Sequence, residues 1–139
     1  MTIEEKKAYL QQYRRLEARI DRMTAEKGRW MELATRVSPV MYGMPRAGGI
    51  GDRVLDAVQR IVDLEAELDA EIDRLVDLRR EIESSIRSIQ DERLQDILRR
   101  RYIDGERVEK IAVDLRLDFR WVQRLHAKAL RKLTVESHP

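Results

Sequence analysis

Apolar residues recur along this chain at spacings of three and four, and that rhythm changes length twice. Tyr13, Leu16, Ile20, Met23, Trp30, Ala34 and Val37 form one stripe, with Lys27 as a polar interruption. Such a stripe is the seam of an amphipathic helix packed on another helix. Thr2 and Glu5 make a capping box at its start, and Ser38-Pro39 marks its end, so a helix is predicted from about residue 3 to 37. A second stripe runs through Val54, Val58, Ile61, Leu64, Leu68, Ile72, Leu75, Leu78, Ile82, Ile86 and Ile89. Its mean spacing is about 3.5 residues, the coiled-coil period. Asp52 is the expected N-cap of that helix. Each long helix would span about 50 Å at 1.5 Å per residue.

Beyond Ile89 the stripes shorten. Asp91 is placed to cap a third helix that runs to about Ile103, with Leu94, Ile97, Leu98 and Tyr102 inward and Gly105 closing it. Val108, Ile111, Ala112 and Leu115 then define one short helix, and Val122, Leu125, Ala129 and Leu133 define another. Arg116-Leu117-Asp118 separates them, with Asp118 as N-cap of the second. Two short helices on a tight turn are the helix-turn-helix pattern, whose second helix enters the DNA major groove.

The expected fold is therefore all-α: a long two-helix antiparallel coiled coil over residues 1–90, then a three-helix helix-turn-helix domain over 91–139. Residues 39–51 hold two prolines and four glycines and read as the loop of the hairpin. The same seams could instead pair between chains, making a homo-oligomer. Gly48-Gly49-Ile50-Gly51 follows no strand and lacks the Lys-Ser/Thr of a P-loop, so it is not read as a nucleotide cradle.

Charge sharpens this pattern. The overall balance of +2 conceals three blocks. Residues 1–52 hold 10 Lys/Arg and 7 Asp/Glu, residues 53–98 hold 7 and 13, and residues 99–133 hold 11 and 5. A basic block that coincides with the short-helix pair favours a polyanionic partner. The carboxylates of the second helix, among them Glu65, Glu71 and Asp77, are spread around it and read as a solvated face. The chain has no cysteine, and its two histidines, His126 and His138, offer no catalytic or metal-ligating arrangement. No enzyme activity, metal or cofactor is expected. The charged start MTIEEKKAYL carries no apolar run, and no stretch approaches the length of a membrane span, so a cytoplasmic protein with no membrane association is expected.

At 100° per residue, the face of the last helix opposite its apolar stripe presents Arg120, Gln123, Ala127 and Arg131, with Arg124 on the flank. Arg suits guanine O6 and N7, and Gln suits adenine N6 and N7. Phe119, Arg120, Gln123 and Arg124 are the expected base contacts, Phe119 alternatively stapling the turn. Arg99, Arg100, Arg101, Lys110, Arg116, Lys128, Arg131 and Lys132 are the expected phosphate contacts. Trp121 and His126 border the inward side and read as packing residues, while Leu130 points sideways toward the long helices or a partner.

From about Leu94 to Leu133 the chain resembles region 4 of bacterial sigma factors. The resemblance rests on Leu98-Arg99, Tyr102, Gly105, Ile111-Ala112, Leu115, Val122, Leu125 and the string Ala127-Lys128-Ala129-Leu130-Arg131-Lys132-Leu133. It implies a helix that reads promoter DNA through positions 119, 120, 123 and 124, and a contact with RNA polymerase. Several of these side chains depart from the family's Arg-Glu pattern, so the promoter sequence is not carried over. The whole chain is similar to small phage and prophage proteins that join a coiled-coil front half to a sigma-like end. The segments that carry this are Tyr13 to Leu16, the glycine-rich loop, Asp69 to Leu78 and Arg120 to His126. That similarity implies a phage-encoded, non-enzymatic transcription regulator. Two other readings remain: a small terminase subunit that packages DNA, and an adaptor whose helix-turn-helix fold binds protein.

Overall fold

In a computed structural model, residues 1–40 and 49–135 are described. Among them every regular element is helical. The order is α1 (Ile3–Val40), α2 (Gly49–Arg87), α3 (Glu92–Leu98), α4 (Val108–Leu115) and α5 (Phe119–Lys132), with a π-helical turn, Arg99–Ile103, continuing α3. No helix among the described residues is long and apolar enough to cross a membrane.

Two boundaries of the long helices differ from expectation. The backbone of α1 stays helical through Ser38 and Pro39 to Val40 instead of stopping at residue 37. Proline removes one backbone donor and biases its predecessor, yet near a helix end the remaining hydrogen bonds can carry the turn. The second helix starts at Gly49, so Asp52 lies in its first turn rather than at its N-cap, where its charge still complements the helix dipole. Most of the expected 39–51 loop lies outside the described residues. At the chain start, Thr2 Oγ1 accepts from the Glu5 backbone N–H at 3.2 Å, one half of the capping box.

The described residues form two compact units, and their boundaries cut both long helices. One unit lies within Glu17–Arg74. There Arg19 pairs with Glu71 at 3.7 Å, Glu26 with Arg60 at 3.0 Å and Lys27 with Glu65 at 3.2 Å. Residue numbers broadly fall on α2 as they rise on α1, so the two stretches run antiparallel. The Arg60 hydrogen bond holds the Glu26 carboxyl below the usual range. Met23, Ala57, Leu64 and Leu68 are buried, but Val58 and Ile72, both assigned to the seam, are exposed. Two helices can cover only one stripe of each other, so a seam that drifts around the helix leaves some members in water.

The other unit combines Met1–Leu16 with α2 from Leu75 onward and with α3, α4 and α5. Here too α1 and α2 run antiparallel: Tyr9 Oη donates to Glu81 at 3.3 Å and Arg79 to Tyr13 Oη at 3.5 Å. Leu10 and Tyr13 of α1 join Ile82 and Ile86 of α2, and Ile89 just beyond it, in one core with Leu94, Leu98, Tyr102, Ile111, Val122, Ala129 and Leu130. Each such aliphatic side chain contributes about 1.5–3 kcal/mol on burial.

Local chemistry sets the turns of this unit. Asp91 Oδ1 accepts from Arg93 N at 2.9 Å and Leu94 N at 3.4 Å, capping α3. The Gln95 side chain donates to the Ile89 carbonyl and closes the α2–α3 corner. Gly105 takes φ +73°, a conformation glycine adopts without strain. Its bare Cα also lets the Arg14 guanidinium lie against it: a Cβ there would stand 2.5 Å from Arg14 Cζ. Asp118 caps α5 by accepting from Arg120 N at 3.2 Å.

Candidate nucleic-acid interface

The turn between α4 and α5 is built from three residues. Leu117 N donates to Ala112 O at 3.0 Å, and Arg116 sits in the left-handed region at φ 57°. That position usually takes glycine, and an L side chain there costs about 1 kcal/mol. Ile111, Ala112, Val122, Leu125, Ala129 and Leu130 are buried, which fixes α5 by one face and leaves the other in water.

The free face of α5 carries five cations and no acid. Arg120, Arg124, Lys128, Arg131 and Lys132 are all exposed, and α5 contains no acidic residue. Among the described residues, none of these five side chains, nor that of Arg116, takes part in an ion pair or hydrogen bond. Gln123 is exposed and Phe119 half-exposed at the helix start. The four expected base contacts therefore lie on one short helix segment, within two turns.

The expected phosphate contacts divide into two groups. Arg116, Lys128, Arg131 and Lys132 stand in solvent. Arg99 is tied to Glu83 at 3.1 Å and to Gln95 at 3.4 Å. Arg100 reaches Asp114 at 2.9 Å, Glu106 at 3.3 Å and Asp96 at 3.4 Å. The Asp114 hydrogen bond leads the causes that raise its pKa, so this guanidinium clasps α3 to α4. Arg101 donates to the Glu106 carbonyl at 3.3 Å and lies 5.8 Å from the Tyr102 ring centroid. Lys110 is exposed and forms a pair with Glu106 at 3.1 Å. Cations engaged by carboxylates are less available to phosphate than the unengaged cations of α5.

Three aromatic or apolar positions bear on the site. Trp121, expected to face inward, is instead 44% exposed. It lies roughly 85° from the centre of the apolar stripe at 100° per residue, on the side of Lys128 and Lys132. That angle was the available signal against an inward reading. His126 is inward, as its position indicated. Its Nε2 lies 2.8 Å from Tyr102 Oη, and the two rings stack with centroids 5.6 Å apart. Burial, then the charges of Lys7 and Arg101, lower its pKa to about 4. Leu130, expected to turn toward the long helices or a partner, is fully buried in the core that also holds Leu10.

Sequence reading missed the part played by the start of α1. Lys6 Nζ donates to the carbonyls of Leu130 at 3.0 Å and Arg131 at 3.3 Å, satisfying the free carbonyl end of α5. Leu10 and Tyr13 close the core beneath α3–α5. Leu10 was findable, because it extends the Tyr13–Leu16 spacing one step backward.

Among the described residues there is no group of three or more His, Asp or Glu side chains able to hold a metal ion. Comparisons with protein-family models, with curated proteins and with solved structures find no match.

Proposed function

We propose that this protein is a non-enzymatic, double-stranded-DNA-binding transcription regulator of the sigma region 4 type, phage-encoded, that reads DNA with α5. On this reading α4, the Arg116 turn and α5 are a helix-turn-helix, and the antiparallel stretches of α1 and α2 are one coiled coil. The single observation that carries the proposal is the unpaired cationic face of α5. Five cations stand on a helix without acids, while Arg99 and Arg100 of the neighbouring π turn are matched to carboxylates. A helix fixed by one apolar face and unpaired on the other is complementary to a polyanion.

Within this reading Phe119, Arg120, Gln123 and Arg124 meet base edges in the major groove, and Arg116, Lys128, Arg131 and Lys132 meet phosphates. RNA polymerase is the protein partner implied by the sigma resemblance. Replacing Arg120 or Arg124 by Ala should cost about 1–3 kcal/mol on the selected site and relax preference at one or two base positions. The check is selection of a site from a random duplex library, then titration of each variant on selected and scrambled duplexes. Circular dichroism reports folding. Folded variants with wild-type affinity and specificity would refute base reading by α5.

A second reading is favoured by a different observation. Trp121 and Val113, 44% and 75% exposed, place apolar surface on α5 and α4. Such residues suit a protein partner, so the adaptor reading predicts that Trp121→Ala abolishes a protein complex and that duplex DNA does not bind.

A further inference from the structure

Beside the base-reading face lies a cleft of about 370 Å³ that belongs to the α1–α5 side of the C-terminal unit. Lys7 and Gln11 line it from α1, Arg101 from the π turn and Gln123 from α5, with Tyr102 and His126 also on its wall. No carboxylate is among its lining residues. The only acid paired with Lys7 among the described residues is Glu4, at 3.6 Å and with its own side chain 84% exposed. A solvated pair of that kind contributes little and yields readily to a stronger anion. Arg101 spends one guanidinium N–H on the Glu106 carbonyl, leaving most of its five donors. Two cations and two primary amides therefore converge on a space large enough for a tetrahedral oxyanion.

We propose that this cleft seats one phosphate of the DNA backbone, with Lys7 and Gln11 of α1 acting beside Arg101 and Gln123. The proposal rests on the DNA-binding reading of α5 and extends it to a helix outside the helix-turn-helix. Gln123 is common to the cleft and to the exposed α5 face, so a phosphate held here would lie next to the bases read by that face. The start of α1 would thereby set the register of α5 on the duplex, since phosphate contacts position without specifying.

The test uses the full chain with Lys7→Gln, at a partly buried position, and Gln11→Glu, at an exposed one, with Arg124→Ala as the comparison. Lys7→Gln should weaken selected and scrambled duplexes alike, by roughly 3- to 10-fold, and lower the slope of log affinity against log salt by about 1. Gln11→Glu should weaken both duplexes in the same way by placing a carboxylate in the cleft. A duplex with a single methylphosphonate at the contacted position should bind wild type less well and leave Lys7→Gln unaffected. If wild type binds DNA with a steep salt slope and both α1 variants match it, the cleft assignment is overturned while the α5 reading stands. If wild type binds no DNA, both fall. Titration with inorganic phosphate, followed through the side-chain amides of Gln11 and Gln123, separates the other source of this chemistry. Saturable binding of phosphate there, with DNA affinity indifferent to Lys7, would overturn the backbone assignment in favour of a small phosphorylated ligand.

Discussion

At the scale of single residues, His126 shows how burial rather than sequence position decides chemistry. Its ring is stacked on Tyr102 and bonded to it, and its folded pKa of about 4 lies below the ordinary value of 6.5. Between those values the unfolded chain binds a proton that the folded chain refuses, so stability falls as pH drops through that window. The contribution lost is on the order of 2–3 kcal/mol, reduced to the extent that solvent reaches the ring. Denaturant melts between about pH 7 and pH 4 should therefore show a decline that His126→Gln removes in part. An identical decline in the variant would mean that carboxylates, not His126, set the acid limit. Trp121 gives the opposite lesson. Its neighbour Leu125 is buried, yet a turn of 100° per residue is enough to bring the indole into water. Residues at the border of a stripe are the ones a pattern assigns least securely.

Among the elements, the short helices were the most legible. Asp91, Gly105 and Asp118 each announce a helix boundary by a cap or a left-handed turn, and the structure has all three in those roles. Arg116 was not legible as a left-handed residue, because nothing in its side chain favours φ 57°. What it does there follows from tertiary closure of α4 on α5. The start of α1 was legible as helix and not as part of the C-terminal core, since helical periodicity reports an apolar face without naming what covers it. Leu10 is fully buried among residues of α2 through α5. Leu10→Ala should lower unfolding stability by about 2–5 kcal/mol, measured by urea melts. For the same reason a fragment of residues 91–139 should be largely unfolded by circular dichroism. A fragment that folds and melts cooperatively would show that α1 and α2 are accessory to this core.

For the molecule as a whole, the distribution of charge was readable at once and its meaning was not. The basic excess of residues 99–133 includes cations of two kinds, those clasped by Glu83, Glu106 or Asp114 and those of α5 that have no partner among the described residues. Counting cannot distinguish them, because pairing depends on which acids the turns bring near. The split matters for the proposed interface, which it narrows to α5 and the Arg116 turn. The antiparallel ion pairs Arg19–Glu71, Glu26–Arg60 and Lys27–Glu65 show where the acidic excess of α2 goes in its own unit. Basic and acidic helices meet there.

The central claim, that the unpaired face of α5 binds a nucleic-acid duplex, is tested most directly by the affinity of the full chain for duplex DNA as a function of salt. Each phosphate neutralised by Arg116, Arg120, Arg124, Lys128, Arg131 or Lys132 releases condensed counterions. Affinity should fall at least about 10-fold between roughly 50 and 200 mM salt, and substitution of Lys128 and Arg131 together by Ala should flatten the slope by about 2. A flat salt response, or absence of binding at the lowest salt, would contradict the account.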